Sequence, residues 1–332
     1  MELSQRIDLL NRVGRYIRSS EESWKLAKQN AFIENAWFIP EFIDYQVNVI
    51  ADNFLSENLL KAWAEKYNLE EINPSPKITG IIMAGNIPMT GIHDLISVFI
   101  SGHYQKIKTS SKDNVLIPHI VEKMIEWEPA AARYFEFSDM LRNCDAYIAT
   151  GSNNSSRYFE YYFSKFPHII RKNRTSVAVL NGKETKEELE KLADDVYLYF
   201  GMGCRNITKL FVPEGYDFLP LIESWKKYHF LFEHHKYKNN YDYQLSLLIL
   251  NNKYYMTDGT VLLVENPAIF TAVSVVNYEY YSNAGDLKSI LNENPNLQAV
   301  AGQGYQKFGS LQQPSLDEYA DGIDTLQFLQ KL

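Results

Sequence analysis

From Met1 to about Tyr67 apolar residues recur at every third and fourth position, most clearly in WFIPEFIDYQVNVIADNFLSENLLKAWAEKY. That spacing predicts a run of helices, with Ser56 placed to cap the turn that starts at Glu57. After the turn-rich INPSP the pattern changes. KITGIIMAG is a short β-branched run reaching Gly85; helical DLISVFISG, strand-like YQKIKTS, helical IPHIVEKMIEWEP and strand-like CDAYIAT follow it. This βαβαβ alternation predicts a parallel sheet covered on both faces, with ligands beyond the carboxyl ends of its strands. A helix over TKEELEKLADDVYLYF opens a second half, in which ITKLFVP, YQLSLLIL, GTVLLVEN and FTAVSVV read as strands.

Composition narrows the class of partner. The 332 residues are 45% hydrophobic, enough for two packed domains, and the net charge is -8. Lys and Arg form no stripe interleaved with aromatics, so nucleic acid is not an expected partner. Met1 leads directly into ELSQRIDLLNRVGRYI, a charged amphipathic pattern, and no apolar stretch approaches the roughly 18 residues of a membrane span. A cytoplasmic protein is the expectation. Two cysteines, Cys144 and Cys204, make a poor disulfide framework, so each thiol needs its own explanation.

Four short motifs carry candidate chemistry. In IIMAGNIP, Asn86 precedes the stiff Ile87-Pro88 pair, where its amide is placed to donate to a developing oxyanion; an asparagine before proline is also an ordinary turn residue. In KTSS, Lys108, Ser110 and Ser111 end a strand and suit a ribose or phosphate, though a solvated loop has the same composition. Thr150, Gly151 and Ser152 join a strand to a helix whose N-terminal N–H groups favour an anion, with Gly151 permitting close approach. Lastly, Gly201 and Gly203 leave Cys204 on a tight loop, with Arg205 beside it to favour the thiolate. His234 and His235 in EHHKY lack the spacing of a metal site, and no metal is expected.

Taken in order, these motifs resemble the aldehyde dehydrogenase superfamily, and within it the acyl-CoA reductases of the LuxC type. The more specific text is RKNRTSVAVLNG from Arg171, GMGCRNITKLFVP around Cys204, EHHKYKNNYDY from Glu233 and FGSLQQPSLDEYADGIDT from Phe308. The resemblance implies an α/β, aldehyde-dehydrogenase-like fold of two Rossmann-like domains behind an N-terminal helical segment. Residues 1–182 would hold the helices and the nucleotide-binding domain; residues 183–332 would form the cysteine domain with a returning C-terminal segment. It also implies Cys204 as nucleophile, and Asn86 with the Cys204 backbone N–H as oxyanion donors. Lys108 looks like the adenosine-ribose ligand, and Gly151-Ser152 like the pyrophosphate-side turn.

Departures from the superfamily pattern shape the functional expectation. Where hydrolytic members carry a water-activating glutamate, this chain reads IIRKNRTSVAV, with Arg171 near that position. The glutamate before an IF pair is replaced by Ala268 in NPAIF, and Glu265 is out of register. Ser111 stands where many NAD-specific relatives carry a carboxylate that repels a 2′-phosphate. The expectation is NADPH-dependent reduction, with NADH as the alternative nucleotide, of an acyl-CoA or acylated partner protein to the aldehyde through an acyl-cysteine. A cysteine acyltransferase without hydride transfer and a silent partner subunit are the rival readings, and oligomerisation is open.

Overall fold

The computed structural model describes residues 1–332. It divides into two compact units, Met1–Asn173 with Pro314–Leu332, and Arg174–Gln313. The divisions fall after Asn173 and after Gln313, where the sequence reading placed one after 182. The shift has a simple origin. The strand Thr175–Val179 pairs with strands of the second sheet, and the last residues return to the first unit, where Leu316, Tyr319, Leu326 and Leu329 join its core.

Four helices open the first unit: α1 Leu3–Ile17, α2 Glu22–Glu34, α3 Pro40–Asn53 and α4 Glu57–Lys66. Ser56 takes the N-cap position of α4 in extended backbone, but its side chain makes no capping hydrogen bond. The sheet consists of β1 Ile78–Ile82, β2 Tyr104–Lys108, β3 Phe135–Phe137, β4 Ala146–Thr150 and β5 His168–Arg171. All its pairings are parallel, in the order β3-β2-β1-β4-β5. The helices α5 Ile92–Ile100, α6 Leu116–Trp127 and α7 Asn153–Phe163 connect them, and α12 Thr325–Leu329 closes the unit. β1 ends at Ile82, three residues before Gly85, so Met83–Asn86 is loop rather than strand. The chain builds outward from β1 to β2 and β3, then returns to place β4 on the other side. Strand order therefore reverses between β1 and β4, the position where open α/β sheets bind ligands.

The second unit has a six-stranded sheet of β6 Thr175–Val179, β7 Ile207–Pro213, β8 Met256–Thr257, β9 Leu262–Glu265, β10 Val275–Tyr281 and β11 Leu297–Gly302. Its order is β11-β6-β7-β10-β9-β8, parallel except for the short β8. Four helices accompany it: α8 Lys186–Tyr197, α9 Leu219–Ser224, α10 His235–Leu250 and α11 Ala284–Asn292. The run YQLSLLIL is the end of α10 and not a strand. Tyr237 and Tyr241 are buried, Leu245 and Leu248 are half-buried, and Leu247, Ile249 and Leu250 are exposed, which is a helical period of burial. FTAVSVV likewise supplies only the start of β10, which begins at Val275 after Ser274 in left-handed backbone.

Candidate active site

Within the first unit, parallel pairing fixes where three of the four motifs stand. Ile82 of β1 pairs with Lys108 of β2 and with Ala149 of β4, so the loops that follow these strands emerge side by side at their carboxyl ends. Asn86 is exposed on the first of these loops. That loop is tightly held: Met83 N–H donates to the Lys108 carbonyl (3.0 Å), and a Cβ on Gly85 would lie 2.5 Å from Ser110 Oγ. Met89, fully buried, takes φ +57, and its N–H donates to Asp113 Oδ2 at 2.6 Å.

The Lys108–Ser111 turn is supported from beneath. Asn35 Nδ2, after α2, donates to the Lys112 carbonyl at 3.0 Å, and Asp113 N–H donates to the Ser110 carbonyl at 3.0 Å. Ser110 Oγ accepts the Lys112 N–H, so this hydroxyl closes its own turn; Lys108 and Ser111 are exposed. On the third loop Ser152 Oγ caps α7 by accepting the Ser155 N–H at 3.2 Å. A Cβ on Gly151 would meet Phe159 and Ser155 of α7 at 2.9 and 3.0 Å. Packing against its own helix accounts for Gly151, a reason separate from the ligand approach expected of it. No acidic residue occupies the first turn of α7, so nothing there opposes an anion.

Cys204 belongs to the second unit and stands before β7, at the amino end of that strand, unlike the motifs of the first unit. Its loop begins with a left-handed turn: Tyr199 and Phe200, both buried, adopt φ +55 and +57, and Gly201 +73. Non-glycine residues in this region cost about 1 kcal/mol or more each, so surrounding contacts must hold the turn. Asn206 does so. Fully buried, it donates through Nδ2 to the carbonyls of Asp195 and Leu198 at the end of α8, and accepts the Gly203 N–H at 2.8 Å. Ser176 Oγ, from β6, donates to the Cys204 carbonyl at 3.1 Å. The half-buried thiol thus rides on a loop fixed at both sides. Cys144 is a different kind of thiol. It is buried against Gly80 and Tyr147, burial pushes its pKa up, and it packs where a reactive thiolate is disfavoured.

Neighbouring segments are fastened to the same end of the second sheet. Thr208 Oγ1 donates to the Ile269 carbonyl and Lys209 Nζ to that of Pro267, so the NPAIF loop lies beside the start of β7. The FGSLQQ segment is held by Asp195, which accepts the N–H groups of Gly309 (2.6 Å) and Leu311 (3.1 Å). In the first unit Arg171 is committed to a buried ion pair with Asp94 and to Thr325 Oγ1 (2.8 Å). His234 of EHHKY caps α10 by accepting the Tyr237 N–H and packs on Phe200.

Asp195 carries a pH prediction. Burial pushes its carboxyl up to about 7 despite the two N–H donors, so the folded chain holds a proton that the unfolded chain has released. Stability from this group is therefore lost as pH rises from about 4 to 7, by up to about 1.4 kcal/mol per pH unit. Asp195→Asn should flatten that part of the profile. Urea unfolding of parent and variant at pH 5 and pH 8 measures it, and equal slopes would contradict the assignment.

No protein-family model matches the chain, and no curated protein matches it in sequence. Solved structures do match in fold. Aldehyde dehydrogenase 21 from Physcomitrella patens, in complex with succinate, aligns with a TM-score of 0.67 at 13% identity, covering 89% of this chain and 72% of its own. An NADP-dependent enzyme of E. coli gives 0.65 at 12% identity, over 89% of this chain and 72% of its own. Succinic semialdehyde dehydrogenase from Streptococcus pyogenes, with NADP+ as its cofactor, gives 0.64 at 12% identity over 91% and 78%. The chain has the mixed α/β, aldehyde-dehydrogenase-like fold, built on two sheets of mainly parallel strands.

Proposed function

We propose that the protein is an acyl thioester reductase that forms an acyl-cysteine on Cys204 and releases an aldehyde. The observation that carries this reading is the Cys204 loop itself: a half-buried thiol on a strained turn that Asn206 and Ser176 hold in place. Structure is spent here on fixing one thiol, as a nucleophile requires. The resemblance in sequence supplies the substrate class, and the fold is compatible with it.

The Cys204 thiolate attacks the thioester carbonyl, the carbonyl oxygen takes up the electron pair, and Asn86 Nδ2 with the Cys204 backbone N–H stabilises it. Collapse expels coenzyme A as its thiolate and leaves the acyl group on sulfur. After reduction, the same donors hold the thiohemiacetal oxygen until the carbon–sulfur bond breaks and the aldehyde leaves. With Arg171 tied to Asp94 and Thr325, the stretch that would carry a water-activating carboxylate offers a paired cation instead. That favours an acyl-enzyme protected from hydrolysis.

The residues present fit a dinucleotide phosphate. Lys108 and Ser111 are exposed beyond β2, and the acid-free N-terminus of α7 stands beyond β4, on either side of the loop after β1. Lys108 and Ser111 would hold the adenosine ribose and its 2′-phosphate, while Thr150, Gly151 and Ser152 would present α7 to the pyrophosphate. Ser110 shapes the turn through its bond to Lys112. Bound NADPH supplies the hydride.

Loss of NADPH absorbance against a panel of acyl-CoA thioesters tests the reading. Thioester-dependent consumption with aldehyde formed supports it; coenzyme A release without NADPH loss would make the protein a cysteine acyltransferase. Ser111→Glu sets a carboxylate against the 2′-phosphate, an unfavourable contact of about 1 kcal/mol or more. NADPH affinity should fall while NADH is held or improved, and calorimetric titration of both nucleotides reads the change. An unaltered preference would remove the KTSS turn from the ribose site.

A further inference from the structure

Asp113 is the one buried carboxylate between the turn after β2 and α6, and neither the motifs nor the proposed chemistry account for it. Its backbone and side chain do separate things. The Asp113 N–H closes the Ser110–Asp113 turn, which any residue would do equally well. The carboxyl group instead crosses to the loop after β1, where Oδ2 accepts the Met89 N–H at 2.6 Å. Oδ1 is buried with no hydrogen-bond partner. A buried carboxyl group satisfied at a single oxygen is a net cost to folding, and burial pushes it up to about 7. Such costs collect where a local conformation matters more than stability.

The conformation at stake is that of the loop bearing Asn86. Met89, three residues on, is held in left-handed backbone, which a long side chain adopts only when its neighbours compel it. At the near end of the same loop Gly85 is pressed against Ser110, whose Cβ and Oγ leave no room for a side chain. Ser110 and Asp113 therefore grip the loop on both sides of Asn86, and both belong to the turn that begins at Lys108.

We infer that Asp113 is a positioning residue: its carboxyl group, bonded to the Met89 amide, sets the loop that presents Asn86 and ties that loop to the Lys108–Ser111 turn. This rests on the oxyanion role proposed for Asn86. Displacement of the turn moves Met89 and, with it, Asn86.

Hydrogen–deuterium exchange on the whole chain without ligand reads the positioning, and kinetics read its consequence. In Asp113→Ala, amide exchange should rise about tenfold or more across residues 84–91, with α5, α6 and the second unit unchanged. Turnover should fall about tenfold, KM for acyl-CoA should move less than about twofold, and the loss should vanish in an Asn86→Ala background. Asp113→Asn, whose amide oxygen still accepts the Met89 N–H, should restore most of the turnover. Should Asp113→Ala not fold, Asp113→Ser, too short to reach Met89, replaces it with the same expected exchange. Unchanged exchange at 84–91, or a turnover loss that adds to that of Asn86→Ala, would overturn the inference. Absence of any reductase activity in the parent would instead remove the proposed function, while the exchange result still decides what Asp113 does to the loop.

Discussion

Cys204→Ala should lower acyl-CoA-dependent NADPH oxidation by about 10⁴-fold or more, to the limit of detection, while Cys144→Ala stays within about twofold of the parent. The contrast follows from the surroundings of the two thiols. Cys204 is half-buried on a loop that Asn206 and Ser176 fix, so alanine removes the nucleophile and leaves in place the Asn206 bond to the Gly203 N–H and the Ser176 bond to the Cys204 carbonyl. Cys144 packs beneath β1 against Tyr147, and its raised pKa keeps it a thiol. A circular dichroism melt run alongside separates lost chemistry from lost fold. Activity within tenfold of the parent in Cys204→Ala would end the nucleophile assignment.

The second large effect belongs to Asn86. Removing one oxyanion donor typically costs about 10² to 10³ in turnover, so Asn86→Ala should lower kcat by at least about 10²-fold. The loop around it does not depend on the Asn86 side chain alone: Gly85 against Ser110, and Met89 on Asp113, remain when it is cut back. KM for acyl-CoA should change much less than kcat, because the donor acts when charge develops on oxygen. Steady-state kinetics at saturating NADPH measure this split. A kcat within a few-fold of the parent would leave Asn86 as an ordinary turn residue before proline.

Much of this arrangement was legible in the chain because local pattern and tertiary environment agree there. The βαβαβ alternation after Lys77 gave strands whose carboxyl ends meet, and GMGC gave a broken helix before a strand. YQLSLLIL failed because a run of aliphatic residues has no period of its own; only the buried Tyr237 and Tyr241, four apart, reveal the helix. β3 and β5 are too short to show a pattern of their own, β6 and β11 carry no strand reading either although each is of ordinary length, and β1 reads too long because Met83 and Ala84 are apolar though they lie in the loop. Asp113, Asp195 and Asn206 escaped notice for a related reason: their work is to accept or donate backbone hydrogen bonds across the fold, which no spacing announces. Asp195 did leave a trace. It falls on the inward face of α8 with Leu189, Leu192 and Val196, and a carboxylate in phase with an apolar stripe marks a buried partner.

Intact-mass analysis of the parent mixed with an acyl-CoA in the absence of nucleotide, followed by peptide mapping of the modified species, tests the central claim most directly. One acyl group per chain should appear, carried on the peptide containing Cys204 and absent from Cys204→Ala. An acyl adduct that persists on Cys204→Ala, or a parent chain that acquires none, would contradict it.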